Sequence, residues 1–175
     1  HGINQGTSGN LSVRFRDGFL ITPSSIPYDQ MGLKDIVEMD WDGKYVGPRP
    51  SSEWRFHRDI LKNRIDVDVV LHCHSIFATA VACHHRDIPA FHYIVGLMGG
   101  NNLRCAPYAT FGTQELSNAA IKALDGRMAC LLAQHGQISI GKTVEDALAM
   151  ALEVEALAKI YIRACVLGEP RVLTS

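Results

Sequence analysis

The sequence predicts a mixed α/β domain. Short β-branched and apolar runs bounded by turn residues recur along the chain and read as strands, while four longer stretches read as helices. No repeat, low-complexity tract or long linker divides the 175 residues, so a single domain spanning 1–175 is expected. With 47% hydrophobic residues the chain is long enough to bury a full core.

The opening segment, Asn4-Gln5-Gly6-Thr7-Ser8-Gly9-Asn10, combines hydroxyl and amide side chains with glycines and leads into a strand over 11–15. Asp17-Gly18 is a hairpin turn signal, with 19–22 as the returning strand. Thr22-Pro23-Ser24-Ser25 adds hydroxyls just beyond it, and a further strand is expected over 35–40. Pro50 followed by Ser51 and Ser52 starts a helix over 51–63, with one of the serines as N-cap. Glu53 falls in its first turn, where the helix dipole favours a carboxylate. The donor-rich loops around residues 4–10, 22–25 and 51–52 could together cradle a phosphate without a lysine. There is no Gly-Lys-Ser/Thr of a Walker loop.

The run 67–73 reads as a buried strand ending in His72-Cys73-His74. Strand side chains alternate faces, so the two imidazoles project together and Cys73 points away. A helix is expected over 75–85, strands over 90–95 and 102–106, and a helix over 113–124. Strands over 129–134 and 137–140 flank Gln134-His135-Gly136, which supplies a third imidazole. Three neutral imidazoles with an open fourth position suit a catalytic zinc or a similar divalent ion. Glu53 and His57, spaced i and i+4, could form a rival ligand pair, but His57 shares an apolar stripe with Ile60 and Leu61 and reads as a core histidine. The helix over 143–167 has Thr143 as N-cap, Asp146 closing a capping-box variant and Gly168 as its stop. His84, His85 and His92 read as structural or exposed, and Arg14-Phe15-Arg16-Asp17 as a solvated face.

A net charge of −1 with scattered basic residues argues against a nucleic-acid face or a polybasic membrane anchor. No window approaches the roughly eighteen apolar residues of a membrane span. Five cysteines, of which Cys73, Cys83 and Cys130 lie in apolar runs, read as reduced core thiols of a cytoplasmic protein.

Several long blocks resemble the metal-dependent class II aldolases of the aldolase/adducin family, most of all those acting on sugar phosphates such as L-fuculose 1-phosphate. The blocks are residues 4–14 (Asn4 to Arg14), Leu20-Ile21-Thr22-Pro23, Ile26-Pro27-Tyr28, residues 50–57 (Pro50 to His57), His72-x-His74, residues 88–93 (Ile88 to Tyr93), residues 105–113 (Cys105 to Thr113) and His135-Gly136. The resemblance runs from residue 1 to about 164. It implies a three-layer α/β/α fold around a mixed, mostly antiparallel sheet. It implies one Zn2+ or other divalent ion per subunit on His72, His74 and His135, with Glu53 as acid/base and approachable fourth ligand. It also implies a substrate phosphate held by Thr7, Gly9, Asn10, Ser24, Ser25, Ser51 and Ser52, and a homotetramer with active sites between subunits. Tyr93 matches the tyrosine that a neighbouring subunit supplies as proton donor to the aldehyde oxygen. The implied reaction is reversible cleavage of a ketose 1-phosphate to dihydroxyacetone phosphate and a small 2-hydroxyaldehyde such as L-lactaldehyde.

Related epimerases, dehydratases and decarboxylases share this scaffold, and an adducin-like module would be a non-catalytic scaffold; the retained metal ligands disfavour the last. Two departures stand out: Ser25 occupies a position where these aldolases usually have glycine, and Gln134 one where a second histidine is common, with an effect expected only in the outer shell. Relative to the family, an N-terminal helix and a C-terminal segment are expected outside residues 1–175.

Overall fold

The computed structural model describes residues 1–174. Its centre is an eight-stranded sheet built from β1 (Asn10–Phe15), β2 (Gly18–Ile21), β3 (Val37–Asp40), β4 (Tyr45–Val46), β5 (Val69–Cys73), β8 (Cys105–Ala106), β9 (Ala129–Leu132) and β10 (Gly136–Gly141), in the order β4-β3-β2-β1-β5-β10-β9-β8. Every ladder is antiparallel except β8 with β9. A separate two-stranded ribbon pairs β6 (Ile88–Pro89) with β7 (Asn102–Leu103).

Helices α1 (Trp54–Asn63) and α3 (Gln114–Ala123) pack on one face of the sheet, and α2 (Ile76–Ala82) and α4 (Val144–Val166) on the other. The alternation of strand side chains creates this separation. On β5, Val70 joins the α1/α3 core with Phe56, Ile60 and Leu116, while Val69, Leu71 and Cys73 join Ala147 and Ala151 of α4. Likewise Cys130 and Leu132 of β9 face α1 and α3, and Ala129 and Leu131 face α2 and α4. This is the expected three-layer α/β/α arrangement. No helix among the described residues is long and apolar enough to cross a membrane.

Helix α4 begins with the expected capping box: Thr143 Oγ1 accepts from Asp146 N at 3.1 Å, and Asp146 Oδ2 accepts from Thr143 N at 3.0 Å. Helix α1 starts later than expected, at Trp54, with Glu53 rather than a serine at the N-cap position. Pro50 bridges to Pro23, and Ser51 N donates to Thr22 O at 3.1 Å, so residues 50–51 still belong to extended pairing.

Several other expectations are corrected. The hairpin turn is Arg16-Asp17, because Phe15 pairs with Gly18 and Arg16 takes φ 50°. Residues 93–98 form a 3₁₀ helix (Tyr93–Met98) instead of a strand over 90–95, its first turn held by His92 Nδ1 accepting from Ile94 N. The strand expected over 102–106 splits at Arg104, since Leu103 pairs with Ile88 and Cys105 with Leu131. Strand β4 was not expected.

Arg14 is not a solvated charge. Its guanidinium donates to the carbonyls of Leu61 and Arg64 at the C-terminal end of α1 and of Val67 in the turn beyond it, and forms a 2.8 Å ion pair with Asp68. Arg16, by contrast, is exposed. Cys73 and Cys130 are buried and burial raises their thiol pKa, but Cys83 is exposed where α2 ends; all five cysteines are free. His84 and His85 are exposed and His92 is partly so.

Candidate metal centre and hydroxyl-lined cleft

The central strand β5 lies between β1 and β10, which fixes where its last residues point. Asn10 pairs with His72 across one ladder and Ile138 with His72 across the other. The chain leaves β5 through His74 and enters α2 after Ser75. Glu155 of α4 holds that helix start by accepting from Phe77 N and Ala78 N at 2.9 Å. His135 sits in the tight turn from β9 to β10, where Gln134 takes φ 55°. Glycine is needed at the next residue: a Cβ on Gly136 would lie 2.5 Å from Cys73 O and 3.0 Å from the His74 ring.

These constraints bring His72, His74 and His135 together, with one ligand nitrogen of each inside a 4.8 Å span. Nε2 of His72 is 3.0 Å from Nε2 of His74. The His72 ring is fixed by Nδ1–H donating to Gln137 O at 2.8 Å, which leaves its Nε2 lone pair facing the cluster. Gln137 is itself held by donating to Ser75 Oγ at 2.7 Å and Ala151 O at 3.1 Å.

Glu53 reaches the same point from α1, with Oε2 3.3 Å from His72 Nε2 and Oε1 3.3 Å from His135 Nε2. Burial, followed by the neighbouring His74, pushes the pKa of His72 down to about 3. Burial and His72 push His135 down to about 4, and burial lowers His74. All three are therefore neutral nitrogen donors near pH 7, the form a cation requires.

The cluster fits a divalent ion. Ligand atoms held tetrahedrally about 2.1 Å from zinc lie roughly 3.4 Å apart, close to the 3.0 Å between His72 and His74 and the 3.3 Å from Glu53 to His72 and to His135. The buried Glu53 Oε1 has no hydrogen-bond partner, and an orphaned acceptor facing three imidazoles is what a cation would satisfy. His57 does not join the cluster: it is fully buried and contacts Ser12 and Asn10, the core position expected of it.

Above the histidines opens a cleft of about 360 Å³. Its wall contains Thr7, Gly9, Asn10, Ser24, Ser25, Ser51 and Ser52, all seven of the residues expected around a phosphate, and its floor contains Glu53, His74 and His135. The opening loop is tied down by Asn4, whose Oδ1 accepts from His74 N at 3.1 Å, and by the Tyr28 hydroxyl, which donates to Gly9 O at 2.8 Å. Gly9, at φ 76°, leaves room for this loop, because a Cβ there would strike Asn4 and the His72 carbonyl.

Ser25 has φ 65°, the left-handed backbone that glycine adopts most readily. Gln134 lines the cleft itself rather than an outer shell. Tyr108 and Phe111 also line it and were missed as site residues, although their exposed aromatic side chains inside the 105–113 block offered a signal. Tyr93 is 75% exposed and is not among the residues lining the cleft of its own chain.

Residues 1–162 match the class II aldolase and adducin N-terminal domain family, and the chain belongs to that family. It is 54% identical over 173 residues to a 5-methylthioribulose-1-phosphate/5-deoxyribulose-1-phosphate aldolase of Rhodospirillum rubrum, covering 98% of this chain and 78% of that one. It is 48% identical over 170 residues to the L-fuculose phosphate aldolase of Escherichia coli K12, covering 97% and 79%. A solved structure of L-fuculose 1-phosphate aldolase superposes with a TM-score of 0.94 at 42% identity, covering 99% of this chain and 83% of that one.

Proposed function

We propose that this class II aldolase, acting as one catalytic domain, cleaves a ketose 1-phosphate between C3 and C4 to give dihydroxyacetone phosphate and a small aldehyde. With L-fuculose 1-phosphate the aldehyde is L-lactaldehyde. The observation that carries the reading is the orphaned Glu53 carboxylate oxygen beside three imidazoles, under a hydroxyl-lined cleft. His72, His74 and His135 would hold the metal, with zinc suited to three neutral nitrogens and Glu53 within reach as a fourth ligand. When bound, the ion supplies a Lewis acid that stabilises negative charge developing on the ketose oxygens by several kcal/mol, so no Schiff-base lysine is needed.

The chain's own residues supply the rest. Thr7, Gly9, Ser24, Ser25, Ser51 and Ser52 hold the phosphate through neutral donors near the α1 N-terminus, and Asn10, whose amide is engaged with Ser51 and Glu53, orders the Ser51 hydroxyl beside them. Glu53, as the protonated acid, delivers a proton to C3 after the C3–C4 electron pair is left there; in condensation its carboxylate takes that proton back. Tyr93 of a neighbouring subunit donates to the aldehyde oxygen in condensation. Its exposure and its absence from the lining of its own cleft support a shared site in a homotetramer. Five free cysteines suit a reducing cytoplasm.

A second reading has a specific support. The 54% identical relative is named for 5-methylthioribulose 1-phosphate and 5-deoxyribulose 1-phosphate. Those sugars share carbons 1–3 with the fuculose ester and differ beyond the broken bond, so the same phosphate, metal and Glu53 groups would process them. Metal-loaded enzyme offered all three ketose 1-phosphates, with coupled detection of dihydroxyacetone phosphate, separates the readings. The substrate with the highest kcat/KM identifies the aldehyde side; release from none of them overturns the aldolase assignment.

A further inference from the structure

One buried histidine stands apart from the metal-facing cluster. His57 lies four residues after Glu53 and therefore on the same side of α1. It bridges two residues that share a face of β1: its Nδ1 is 2.7 Å from Ser12 Oγ, and its Nε2 contacts Asn10 Oδ1. Asn10 continues the chain, its Nδ2 lying 3.0 Å from Glu53 Oε2 and 2.9 Å from Ser51 Oγ.

The polarity of this chain is set from its far end. A carboxylate can only accept, so the Asn10 group beside Glu53 is the NH₂. The amide oxygen then faces His57, whose Nε2 must carry the hydrogen and donate, leaving Nδ1 to accept from the Ser12 hydroxyl. All four links are buried, and no side-chain atom of Ser12, His57, Asn10 or Ser51 is left buried and unsatisfied.

We propose that His57 is a positioning residue: by donating to Asn10 Oδ1 it locks the Asn10 amide so that its NH₂ group ties the Glu53 carboxylate to the Ser51 hydroxyl. The proposal rests on the reading of Glu53 as the proton-transfer group. Without the His57 donor, the amide is free to turn over and present its oxygen to the Glu53 carboxylate, which would be repelled from its place. The lock also joins the metal-facing carboxylate to the hydroxyl wall of the cleft, so that both keep one geometry.

Two amide substitutions at residue 57 isolate the relevant nitrogen. His57→Gln places its NH₂ where Nε2 was and keeps the donor to Asn10. His57→Asn reaches only the Nδ1 position and loses it. The readout is the rate at which dihydroxyacetone phosphate exchanges its C3 proton with deuterium in solvent, followed by NMR on metal-loaded protein, with metal content and Tm measured alongside. His57→Asn should slow exchange by about 10–10²-fold, the size expected of a small misplacement, at full metal content. His57→Gln should retain at least a third of the wild-type rate.

A merely structural histidine would lower the Tm of both variants and leave their exchange rates alike, so equal exchange rates in the two variants overturn the proposal. A double-mutant cycle with Asn10→Ala gives a second check. Losses that multiply show that His57 does not act through Asn10, whereas a double variant no slower than Asn10→Ala alone supports it. Glu53→Gln separates the two levels of inference. If that variant exchanges normally, the role of Glu53 fails. If it is inactive while both His57 variants exchange like wild type, only the positioning role fails.

Discussion

Asn10 on β1 is the direct cross-strand partner of His72 on β5. The amide that contacts Glu53 and the imidazole that faces the metal cluster are thus set by one antiparallel ladder in the middle of the sheet. Side chains opposite each other in such a ladder keep a separation of about 5 Å, so neither can drift without breaking backbone pairing. Glu53 arrives from a different layer, at the N-cap of α1, and its contacts to both residues close the arrangement.

Removing two of the three imidazoles should remove the metal. His72→Ala/His74→Ala is expected to lose essentially all bound divalent ion, while wild type holds about one per chain, as measured by elemental analysis after gel filtration. A chelator should abolish aldol cleavage in wild type and added Zn2+ restore it. Unchanged metal content in the double variant would show the ion to be held elsewhere.

Replacing Glu53 with Gln keeps its shape and removes its proton-transfer capacity. Metal content should survive on the three histidines while turnover falls about 10²–10⁴-fold, the usual worth of a positioned acid/base. Substrate affinity should change much less, because the cleft hydroxyls are untouched. If metal is lost together with activity and excess zinc rescues both, Glu53 is an obligatory ligand instead.

Sharing of sites between subunits is checked by complementation. Tyr93→Phe subunits and His74→Ala subunits should each be nearly inactive, yet oligomers formed by mixing them should regain activity, because some interfaces then pair an intact Tyr93 with an intact metal cluster. Mixed oligomers with no recovery would place both groups in one chain.

Much of this centre was legible along the chain, for identifiable reasons. The His-x-His pair was visible because residues 67–73 are apolar enough to be a strand buried on both faces, and alternation then dictates that the imidazoles point together. The turn residue His135 was visible through its glycine neighbour. What could not be read was set by distant packing. Arg14 looks like part of a charged surface run until the end of α1 and the turn after it deliver three carbonyls to it. The segment 90–95 has an apolar pattern that suits either strand or helix at that length, and the local bond from Ile94 N to His92 decided it. Strand β4 is only Tyr45 and Val46, both apolar but exposed, and two residues are too short a run for an alternation to be read. The network from Ser12 through His57 and Asn10 to Glu53 joins four residues that are up to 47 positions apart in pairwise contact, so only the packed helix reveals it.

Acid should destabilise the metal-free protein well above the carboxylate range. Burial, then the nearby His72, holds the pKa of His57 far below its ordinary 6.5, and His72 itself is lowered to about 3. Above pH 6.5 these groups are neutral whether the chain is folded or not, so stability is at its full value. Below it the unfolded chain binds protons that the folded one refuses, so stability falls with pH until the folded values are reached. The expected slope is about 1.4 kcal/mol per pH unit for each such histidine. Urea unfolding at pH 7.5, 6.5, 5.5 and 4.5 measures it, and a flat profile would mean that these imidazoles protonate freely in the folded state.

Ser25→Gly separates backbone strain from cleft chemistry. Ser25 is held at φ 65°, where a non-glycine residue costs about 1–2 kcal/mol, while its hydroxyl sits 3.3 Å from Ser24 Oγ on the cleft wall. Glycine relieves the strain but adds freedom to the unfolded chain, so the net gain should be near 1 kcal/mol, or about 2–4 °C in Tm at this chain length. The same change deletes a cleft hydroxyl that is proposed to donate to the substrate phosphate. A neutral hydrogen bond is worth about 0.5–1.5 kcal/mol net, so KM for the ketose 1-phosphate should rise by roughly 2–10-fold with kcat little altered. The two effects have opposite sign in one variant, a more stable protein that binds its substrate less well. Thermal melts and steady-state kinetics on the metal-loaded enzyme measure both. A higher Tm with unchanged KM would show that the hydroxyl does not touch the phosphate, and a lower Tm would show that the left-handed backbone is stabilised by contacts of the serine itself.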